Sequence, residues 1–364
     1  MAGSSTVTFT MTPELEQQLD RLSRNDHPPT EADLRSLLEV QGDDLRALYA
    51  RADEVRRRSV GDEVHLRGII EFSNHCRRHC NYCGIRAGTS EVQRYRMSLE
   101  EIVAQTVQAR DWGFGTVVLQ SGEDPWFTTE RLCNLLETIK AKSGLAVTLS
   151  IGERPAADYP RLRAAGCDRY LLRFETSDRE LFAKIHPDDD YDGRLACLEQ
   201  IRAAGIQVGS GFMIGLPFSG LEVLARDLLF ATQLDLDMIG CGPFIAHPDT
   251  PLGGHPVWAD REIYFKAIAL LRLMNPLSHI PATTAFDALC SNGRDLVLTR
   301  GGNVFMPNIT PVAYRALYQL YPNKPCIDED GGACARCVVR RLERLKRPPA
   351  RGRGDSVKRS GHDR

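Results

Sequence analysis

Short apolar runs alternate with longer amphipathic segments along most of the chain. Eight of these runs are predicted to be strands, and a predicted helix follows each one. The predicted strands are Val64–Phe72, Gly115–Gln120, Ala146–Ile151, Arg169–Phe174, Gln207–Ile214, Met238–Phe244, His279–Thr284 and Asn303–Phe305. Eight strand–helix units in succession predict an α/β fold, a (β/α)8 barrel of TIM type, with an open doubly wound sheet as the alternative.

Start and stop signals support the helices between these strands. Ser98 and Glu101 have the spacing of a capping box in front of a helix predicted to end at Trp112. Glycine closes four of the predicted helices at the position where the chain usually turns left-handed. These glycines are Gly113, Gly144, Gly166 and Gly205.

The segments on either side of this alternation have a different character. Helical periodicity with Pro13 in a first turn predicts an N-terminal helical extension at residues 1–60. We expect the barrel over residues 61–325 and a C-terminal extension that holds a second cysteine region over residues 326–340. Over residues 341–364 the apolar periodicity ends, and Arg, Lys, Gly and Pro predominate. This composition predicts a basic disordered tail.

Composition and charge narrow the class of protein. The 364 residues are 42% hydrophobic and 26% charged with a formal net charge of −2, so we expect neither nucleic acid nor a membrane as a partner. No apolar run reaches about 18 residues, and the polar N-terminus has no signal core. Six of the eleven cysteines form two tight groups. Grouped thiols without a secretion signal favour metal binding in a reducing compartment, which predicts a cytoplasmic protein.

The first cysteine group has the spacing C-x3-C-x2-C and follows the first predicted strand. Cys76, Cys80 and Cys83 place three thiolates at the C-terminal mouth of the barrel, where catalytic groups of such barrels gather. Three ligands leave one iron of a 4Fe–4S cluster open, and S-adenosylmethionine can chelate that iron. One electron would then cleave its sulfonium–C5′ bond to give a 5′-deoxyadenosyl radical. A zinc site with His75 or His79 as fourth ligand, or three structural thiols, is the alternative.

Charged residues at the end of the fourth strand have the chemistry to hold S-adenosylmethionine. Arg173 and Glu175 share one face because side chains alternate along a strand, and charges inside a barrel need partners. A guanidinium binds a carboxylate in a bidentate manner, and a carboxylate holds an ammonium or a ribose diol. Arg194, on the following helix, would add a second guanidinium. An internal salt bridge is the alternative.

Other candidates lie at the ends of further strands. The segment Gln120–Asp124 (QSGED) directly follows the second strand, with a polar turn as the alternative. Thr283 and Thr284 follow the seventh strand and carry hydroxyl donors for an anionic substrate. Met213, in the glycine-rich segment of strand five, is a ligand contact or a core residue. His247 is a ligand contact or a capped loop residue.

The second cysteine group lies near the C-terminus with the spacing C-x7-C-x2-C. Cys326, Cys334 and Cys337 are candidate ligands of a second iron–sulfur cluster, either 2Fe–2S or 4Fe–4S. Water or an added thiol would be the fourth ligand. A structural zinc site with an unseen fourth ligand is the alternative.

These motifs resemble those of known proteins. The C-x3-C-x2-C motif, with Tyr82 before its last cysteine, resembles the signature of the radical S-adenosylmethionine superfamily. From about Leu45 to Arg340 the chain is similar to the HydE family of FeFe-hydrogenase maturases. Besides the C-terminal cysteines, the similarity rests on CRRHCNYCGIR at Cys76–Arg86, QSGED at Gln120–Asp124, RYLLRFET at Arg169–Thr176, GCGPFIAHPDTPL at Gly240–Leu252 and PATTA at Pro281–Ala285. The loop LPFSG at Leu216–Gly220 departs from the Gly-Gln-Thr of many relatives, which affects only the expected turn.

The resemblance implies a fold, an activity and residue roles. It implies a closed barrel in which Cys76, Cys80 and Cys83 bind a 4Fe–4S cluster. The S-adenosylmethionine contacts that the motifs imply are Tyr82, Ser121, Gly122, Glu123, Arg173, Glu175, Arg194 and Met213, with Thr283 and Thr284 in the substrate cavity. It also implies a role in assembling the diiron site of FeFe-hydrogenase from a small organometallic iron–cysteine–CO–cyanide precursor. The implied partners are the maturases HydG and HydF and a low-potential donor such as ferredoxin or flavodoxin. The second cluster is variable and dispensable in that family.

Three other classes of protein are alternatives to this interpretation. Methylornithine synthase is a near relative, but it usually lacks the C-terminal cysteine group. Biotin synthase needs a second cluster inside the barrel, whereas Cys133 and Cys167 are predicted to lie on helical segments. A non-catalytic zinc-binding module is the non-enzymatic alternative.

Overall fold

A ring of parallel strands forms the centre of the protein. The structure, a computed structural model, describes residues 11–24, 28–89 and 92–359. Its strands are β1 His65–Ser73, β2 Thr116–Ser121, β3 Ala146–Ser150, β4 Arg169–Leu171, β5 Gln207–Ser210, β6 Met213–Ile214, β7 Met238–Ile239, β8 Gly242–Pro243, β9 Pro281–Ala282 and β10 Val304–Phe305.

The large sheet closes on itself. Its hydrogen-bonded order is β7-β5-β4-β3-β2-β1-β10-β9, and every neighbouring pair is parallel. The two outer strands meet because Met238 of β7 bridges to His279, just before β9. The Ile239 N–H also donates to the His279 carbonyl at 2.9 Å. The predicted (β/α)8 barrel is therefore confirmed, and the open doubly wound sheet is wrong.

Two predicted strands are interrupted near their C-terminal ends. Gln207–Ile214 divides into β5 and β6, and Met238–Phe244 divides into β7 and β8. At the break, Gly211 has a φ of 155°, and an added Cβ would lie 1.9 Å from the Gly240 carbonyl oxygen. Only glycine permits such an approach of two backbones. The chain bends there, and β6 and β8 pair as a separate parallel sheet.

Helices surround the ring, and their ends follow the sequence signals. Ser98 forms the predicted capping box with Glu101, and all four glycines predicted to close helices have positive φ. The helices are α1 Pro13–Arg24, α2 Glu31–Glu39, α3 Gly42–Val60, α4 Leu99–Asp111, α5 Thr129–Ser143, α6 Asp158–Ala164, α7 Arg179–Ile185, α8 Tyr191–Ala203, α9 Leu221–Gln233, α10 Arg261–Met274, α11 Ala285–Leu289, α12 Gly293–Leu298, α13 Val312–Arg315 and α14 Gly331–Arg344, with a 3-10 turn at Val357–Arg359. As far as the chain is described, no helix has the length and apolar character of a membrane span.

The N-terminal helices share one core with the barrel. Helix α2 packs on α9 and α3 packs on α10. Leu34, Leu37 and Leu38 of α2 are fully buried and belong to the main hydrophobic cluster. The Lys266 ammonium of α10 donates to the Leu38 carbonyl at 2.8 Å. Helices α1, α2 and α3 therefore pack against outer helices of the barrel.

The segment after α14 corrects one of our predictions. We expected residues 341–364 to be a disordered tail, but α14 continues to Arg344 and residues 345–359 lie against the N-terminal end of the barrel. The Val64 N–H donates to the Pro348 carbonyl at 2.8 Å, and the Arg353 carbonyl accepts from Arg169 at 2.7 Å. Buried strand residues thus supply partners that sequence composition does not reveal. Residues 360–364 lie outside the described part.

Asp355 is the carboxylate that balances buried Arg169 in this segment. Arg169 is only 3% exposed, and its guanidinium donates to Asp355. We expect Asp355→Ala to lower the free energy of unfolding at pH 7 by about 1–2 kcal/mol, since Asp355 is partly screened by solvent. Asp235→Ala removes an exposed carboxylate that pairs with Lys358, and should cost less. Urea unfolding measures both variants, and equal losses would contradict the role of Asp355.

The stabilisation of the fold by Asp355 should decrease as the pH falls. Burial alone would raise the pKa of Asp355, but the Arg169 charge and hydrogen bonds from Gln207 and Arg353 outweigh it and lower the pKa below 3.8. A carboxyl with a depressed folded-state pKa stabilises the fold above its unfolded pKa, and this stabilisation is lost as pH falls through the folded value. The difference between wild type and Asp355→Ala should therefore disappear in acid below pH 3.8.

Candidate active site

One large cavity opens at the C-terminal end of the strands. Its volume is about 340 Å³, and residues from nearly every strand end contribute to its wall. All thirteen residues predicted for the barrel mouth line it: Cys76, Cys80, Tyr82, Cys83, Ser121, Gly122, Glu123, Arg173, Glu175, Arg194, Met213, Thr283 and Thr284. Parallel strands bring these positions together because their carboxyl ends meet on one face of the barrel.

The loop that carries the first cysteines is fixed by side chains and by close backbone packing. Arg94 donates to the carbonyls of Ile85 and Arg86, at 2.7 and 2.6 Å. Gly122 lies against the other side of the loop, where an added Cβ would come within 2.4 Å of the His75 carbonyl oxygen. The thiols therefore have a set position before any ligand binds.

All three thiols have polar neighbours, and the backbone N–H of Ile85 donates to Cys83. The backbone N–H groups of Arg78 and Glu123 each donate to Cys76 Sγ at 3.4 Å. Cys80 Sγ lies 3.3 Å from His186 Nδ1. Such donors stabilise negative charge on sulfur and orient the ligand.

Burial keeps the three thiols protonated when no cation is near. It raises the pKa of Cys76 and, together with the neighbouring Cys83 thiol, that of Cys80. Burial raises the pKa of Cys83 to about 12. Thiols of this kind become thiolates when a metal binds, because the cation deprotonates its ligands.

Arg173 and Glu175 meet inside the cavity, as their spacing predicts. Arg173 Nε lies 3.2 Å from Glu175 Oε2 without hydrogen-bond geometry. Arg173 Nε and Nη2 and Glu175 Oε2 are buried, and within the described part of the chain they have no hydrogen-bond partner. The Tyr82 hydroxyl donates to the other carboxylate oxygen, Glu175 Oε1, at 3.2 Å. The two charges thus form the internal ion pair that was the alternative, but buried polar atoms that lack hydrogen bonds and face a cavity also indicate a polar ligand.

The backbone at Glu175 is strained. Its φ is 66°, in the left-handed region that non-glycine residues avoid. Asp227 of α9 fixes the chain just beyond this point, because its carboxylate accepts from the Ser177 N–H and hydroxyl. Burial raises the pKa of Asp227 to about 7 in spite of these bonds. The strain aims the Glu175 carboxylate at the cavity.

Glu123 and Arg194 line the cavity but are already paired within the protein. Arg78 donates to Glu123 Oε2 at 2.7 Å, and the Glu153 N–H donates to Glu123 Oε1 at 2.9 Å. Arg194 forms ion pairs with Glu153 and Asp189. These two residues belong to one network of charges beneath the cysteine loop, so they are less free to meet a ligand than Arg173 and Glu175.

Several cavity residues were not predicted from sequence. His186 is 2% exposed and lies between Cys80 and Tyr82, with Nε2 3.2 Å from the Tyr82 hydroxyl. Glu71 of β1 pairs with Lys324, from the segment before the second cysteine group. No motif marks them, because helix α7 and the last loop bring them in from distant parts of the chain.

The second cysteine group is only partly assembled. Cys326 Sγ, Cys334 Sγ and a Glu329 carboxylate oxygen lie within 4.8 Å of one another, and Cys337 lies outside this set. A hydrogen bond from the Cys334 thiol lowers the pKa of Cys326 to about 6. Glu329 is an oxygen donor that the cysteine spacing did not indicate. The structure thus supplies two thiols and one carboxylate for a metal.

Other candidate residues have plain structural roles. The Asp249 N–H donates to His247 Nδ1 at 3.2 Å, so His247 is a capped loop residue and not a cavity residue. Cys133 lies on α5 as predicted, whereas Cys167 lies in the turn before β4 rather than on a helix. Neither cysteine is part of the described cavity wall, so neither is placed to hold a second cluster inside the barrel.

Comparison with known proteins identifies the class and then the family. Residues 70–230 match the Radical SAM superfamily. This is the class of protein that a parallel barrel with three thiols after its first strand indicates. The FeFe-hydrogenase maturase subunit HydE of Thermotoga maritima is 48% identical over 85% of this chain and 88% of that protein. The chain belongs to the HydE family of radical S-adenosylmethionine enzymes.

More distant relatives share the fold. The 3-methylornithine synthase of Methanosarcina barkeri is 30% identical over 88% of this chain and 91% of that protein. A crystal structure of methylornithine synthase (PylB) matches with a TM-score of 0.81 and 29% identity, and covers 92% of this chain and 97% of that chain.

Membership of the superfamily implies a 4Fe–4S cluster and S-adenosylmethionine as cofactors, and the cavity fits both. Three soft thiols on one rigid loop match the ligand chemistry of an iron–sulfur cluster. Arg173 and Glu175 have polar atoms without hydrogen bonds, and these atoms can bind the carboxylate, ammonium and hydroxyl groups of S-adenosylmethionine.

Proposed function

We propose that this enzyme assembles the diiron site of FeFe-hydrogenase, by radical chemistry on a small organometallic iron–cysteine–CO–cyanide precursor. The observation that carries the proposal is 48% identity to a HydE maturase over 88% of that protein, together with three thiols at the mouth of a closed barrel in this chain. When bound, the cluster supplies the electron that cleaves S-adenosylmethionine to a 5′-deoxyadenosyl radical.

We propose roles for the cavity residues on the basis of their geometry. Cys76, Cys80 and Cys83 hold the cluster. Arg173 and Glu175 bind the polar groups of S-adenosylmethionine, because their free hydrogen-bonding atoms face the cavity. The remaining proposed S-adenosylmethionine contacts are Tyr82, Ser121, Gly122, Glu123, Arg194 and Met213, of which Glu123 and Arg194 act mainly by fixing the loop.

Thr283 and Thr284 also line the cavity, and we place the precursor beside them. Both lie at the start of α11, and the Thr283 hydroxyl donates to the Cys241 carbonyl at 3.4 Å. Cyanide and carboxylate groups on the precursor are acceptors for such hydroxyls.

We propose a second metal centre at Cys326 and Cys334. A 2Fe–2S or 4Fe–4S cluster there would need Cys337 to move toward the pair, with Glu329 as a further donor. Free thiols and iron–sulfur chemistry need a reducing compartment, which supports a cytoplasmic location. We further propose the maturases HydG and HydF and a low-potential electron donor as partners.

Maturation of hydrogenase in vitro tests the proposed function. Apo-hydrogenase, HydG and HydF should give active hydrogenase only when this protein and S-adenosylmethionine are present. Full hydrogenase activity without this protein would refute the proposal. Because the chain is also 30% identical to 3-methylornithine synthase, the parallel assay supplies lysine, and conversion of lysine to 3-methylornithine would assign the chain to that reaction instead.

His186 should tune the cluster that we place beside it. Its Nδ1 lies 3.3 Å from Cys80 Sγ. The tautomer that carries its proton on Nδ1 donates to the ligand sulfur, and such a hydrogen bond favours the reduced, more negative cluster. We expect His186→Leu to lower the reduction potential by on the order of 59 mV, a tenfold change in the one-electron equilibrium. Redox titration followed by electron paramagnetic resonance measures it. His186→Asn, which retains an N–H donor, should shift less, and equal potentials in all three proteins would contradict the role.

A further inference from the structure

An exposed group of arginines and one tryptophan lies beside the cysteine loop. We call it the Arg–Trp patch; it consists of Arg77, Arg96, Trp126 and Arg131. The side chains of Arg77 and Arg96 are 57% and 34% exposed, Trp126 is 37% exposed and Arg131 is also exposed. None of the four is part of the described cavity wall, so the proposed function leaves the patch unexplained.

Buried carboxylates hold two of these arginines in place. Arg77 Nε donates to Glu123 Oε2 at 3.1 Å, and Arg96 donates to both oxygens of Asp124 at 2.7 and 3.0 Å. The side chains of Glu123 and Asp124 are only 8% and 0% exposed. The positive ends of both pairs therefore face solvent while their negative ends lie inside the protein.

Trp126 forms the apolar centre of the patch. The Arg131 guanidinium lies 4.0 Å from the centre of the indole ring and donates to the Trp126 carbonyl at 2.7 Å. Exposed tryptophan and arginine are the residue types that dominate protein interfaces. Glu130, which precedes Arg131 in sequence, pairs with Arg161 rather than with Arg131, so it leaves the positive charge of Arg131 in place.

The patch is next to a proposed cluster ligand. Arg77 directly follows Cys76, and the Glu123 N–H donates to Cys76 Sγ at 3.4 Å. An electron that arrives at this surface reaches the cysteine loop from the outside, without passing through the cavity that holds S-adenosylmethionine and the precursor. A positive surface also attracts an acidic partner and speeds its association.

We propose that the Arg–Trp patch docks an acidic, low-potential, one-electron donor protein that reduces the cluster beside Cys76. This inference rests on the proposed function, because only a redox cluster behind the patch requires such a donor. The donor loses one electron and the cluster gains it, with no proton or group transferred.

Two variants and a matched control test the proposal. Arg131→Glu reverses a charge on the patch, and Trp126→Ala removes its apolar centre. Arg46→Glu is the control, because it makes the same charge reversal at an exposed arginine of α3, which pairs with Asp43. Formation of 5′-deoxyadenosine is measured in the full-length protein with its cluster, once with a reduced acidic ferredoxin and once with dithionite, a small reductant that needs no docking.

We expect a loss that is specific to the donor protein. Arg131→Glu and Trp126→Ala should each lower kcat/KM for ferredoxin about tenfold, and Arg131→Glu should weaken its dependence on salt. Rates with dithionite should stay within about twofold of wild type, and Arg46→Glu should match wild type with both reductants. Unchanged ferredoxin kinetics in both patch variants would overturn the proposal.

Other outcomes separate this inference from the proposed function. If the patch variants keep normal ferredoxin kinetics but fail to mature hydrogenase with HydG and HydF, the patch binds another maturase and the donor proposal is wrong. A wild-type protein that forms no 5′-deoxyadenosine even with dithionite would refute the radical function itself, whatever the patch variants do. Equal losses with both reductants would place the defect in the cluster or the fold, and would also count against docking.

Discussion

Cys80→Ala should abolish the reductive formation of 5′-deoxyadenosine from S-adenosylmethionine. The Cys80 thiol lines the cavity with those of Cys76 and Cys83, so its removal leaves only two ligands on the loop. Losing an outer-sphere contact alone typically costs about 10–100-fold in metal affinity or activity, and losing a ligand should cost more than about 100-fold. Product analysis by chromatography and the iron and sulfide content of anaerobically purified protein measure the two effects.

A second cysteine variant tests whether the loss of a thiol outside the cavity affects the cluster or the activity. Cys133 lies on α5 with its Sγ 3.7 Å from the Arg161 carbonyl, away from the cavity. Cys133→Ala should retain iron, sulfide and activity. Undiminished product formation by Cys80→Ala would refute the ligand assignment. Zinc in place of iron and sulfide in the wild-type protein would revive the zinc-module alternative.

Glu175→Gln should weaken the binding of S-adenosylmethionine. Glu175 Oε2 is buried without a hydrogen-bond partner in the described residues, and glutamine has the same size but no charge. A hydrogen bond between charged groups contributes about 1.5–3 kcal/mol, which corresponds to a roughly 10–150-fold higher Kd. The amide oxygen can still accept from the Tyr82 hydroxyl, so the variant isolates the missing charge.

Anaerobic equilibrium dialysis with labelled S-adenosylmethionine measures this change. Glu180→Gln is the matched control, since Glu180 is an exposed glutamate at the start of the neighbouring helix α7. Its Kd should equal that of wild type. If both variants bind with the wild-type Kd, the Glu175 carboxylate has another purpose, and its contact with S-adenosylmethionine must be abandoned.

Sequence periodicity predicts the barrel and its mouth well, for a geometric reason. In a parallel barrel every strand ends on the same face, so motifs that are far apart in sequence converge once the strands are placed. Cys76, Glu123, Arg173 and Thr283 follow four different strands, yet all four line one cavity. The residue types within each motif indicate its chemistry, but only the fold brings the motifs together.

The features that sequence did not predict depend on tertiary contacts. The left-handed backbone of Glu175 is held by Asp227 from another helix, and His186 reaches Cys80 from the end of α7. The basic segment after Arg340 has the composition of a disordered tail, but its carbonyls meet arginines that point down from β1 and β4. Burial of these partners is a property of the closed ring and leaves no local pattern.

The position of the C-terminal segment also bears on how the chain folds during synthesis. Gly354 accepts from Arg67 of β1, and Arg353 accepts from Thr116 of β2, so nearly the last described residues complete the first two strands. Arg67 and Gly354 are 287 residues apart in sequence, so at roughly 5–20 residues per second the ribosome makes Arg67 well before its partner. The arginines inside the barrel therefore wait for their partners while the intervening strands and helices are synthesised, and the N-terminal end of the barrel is completed only after that.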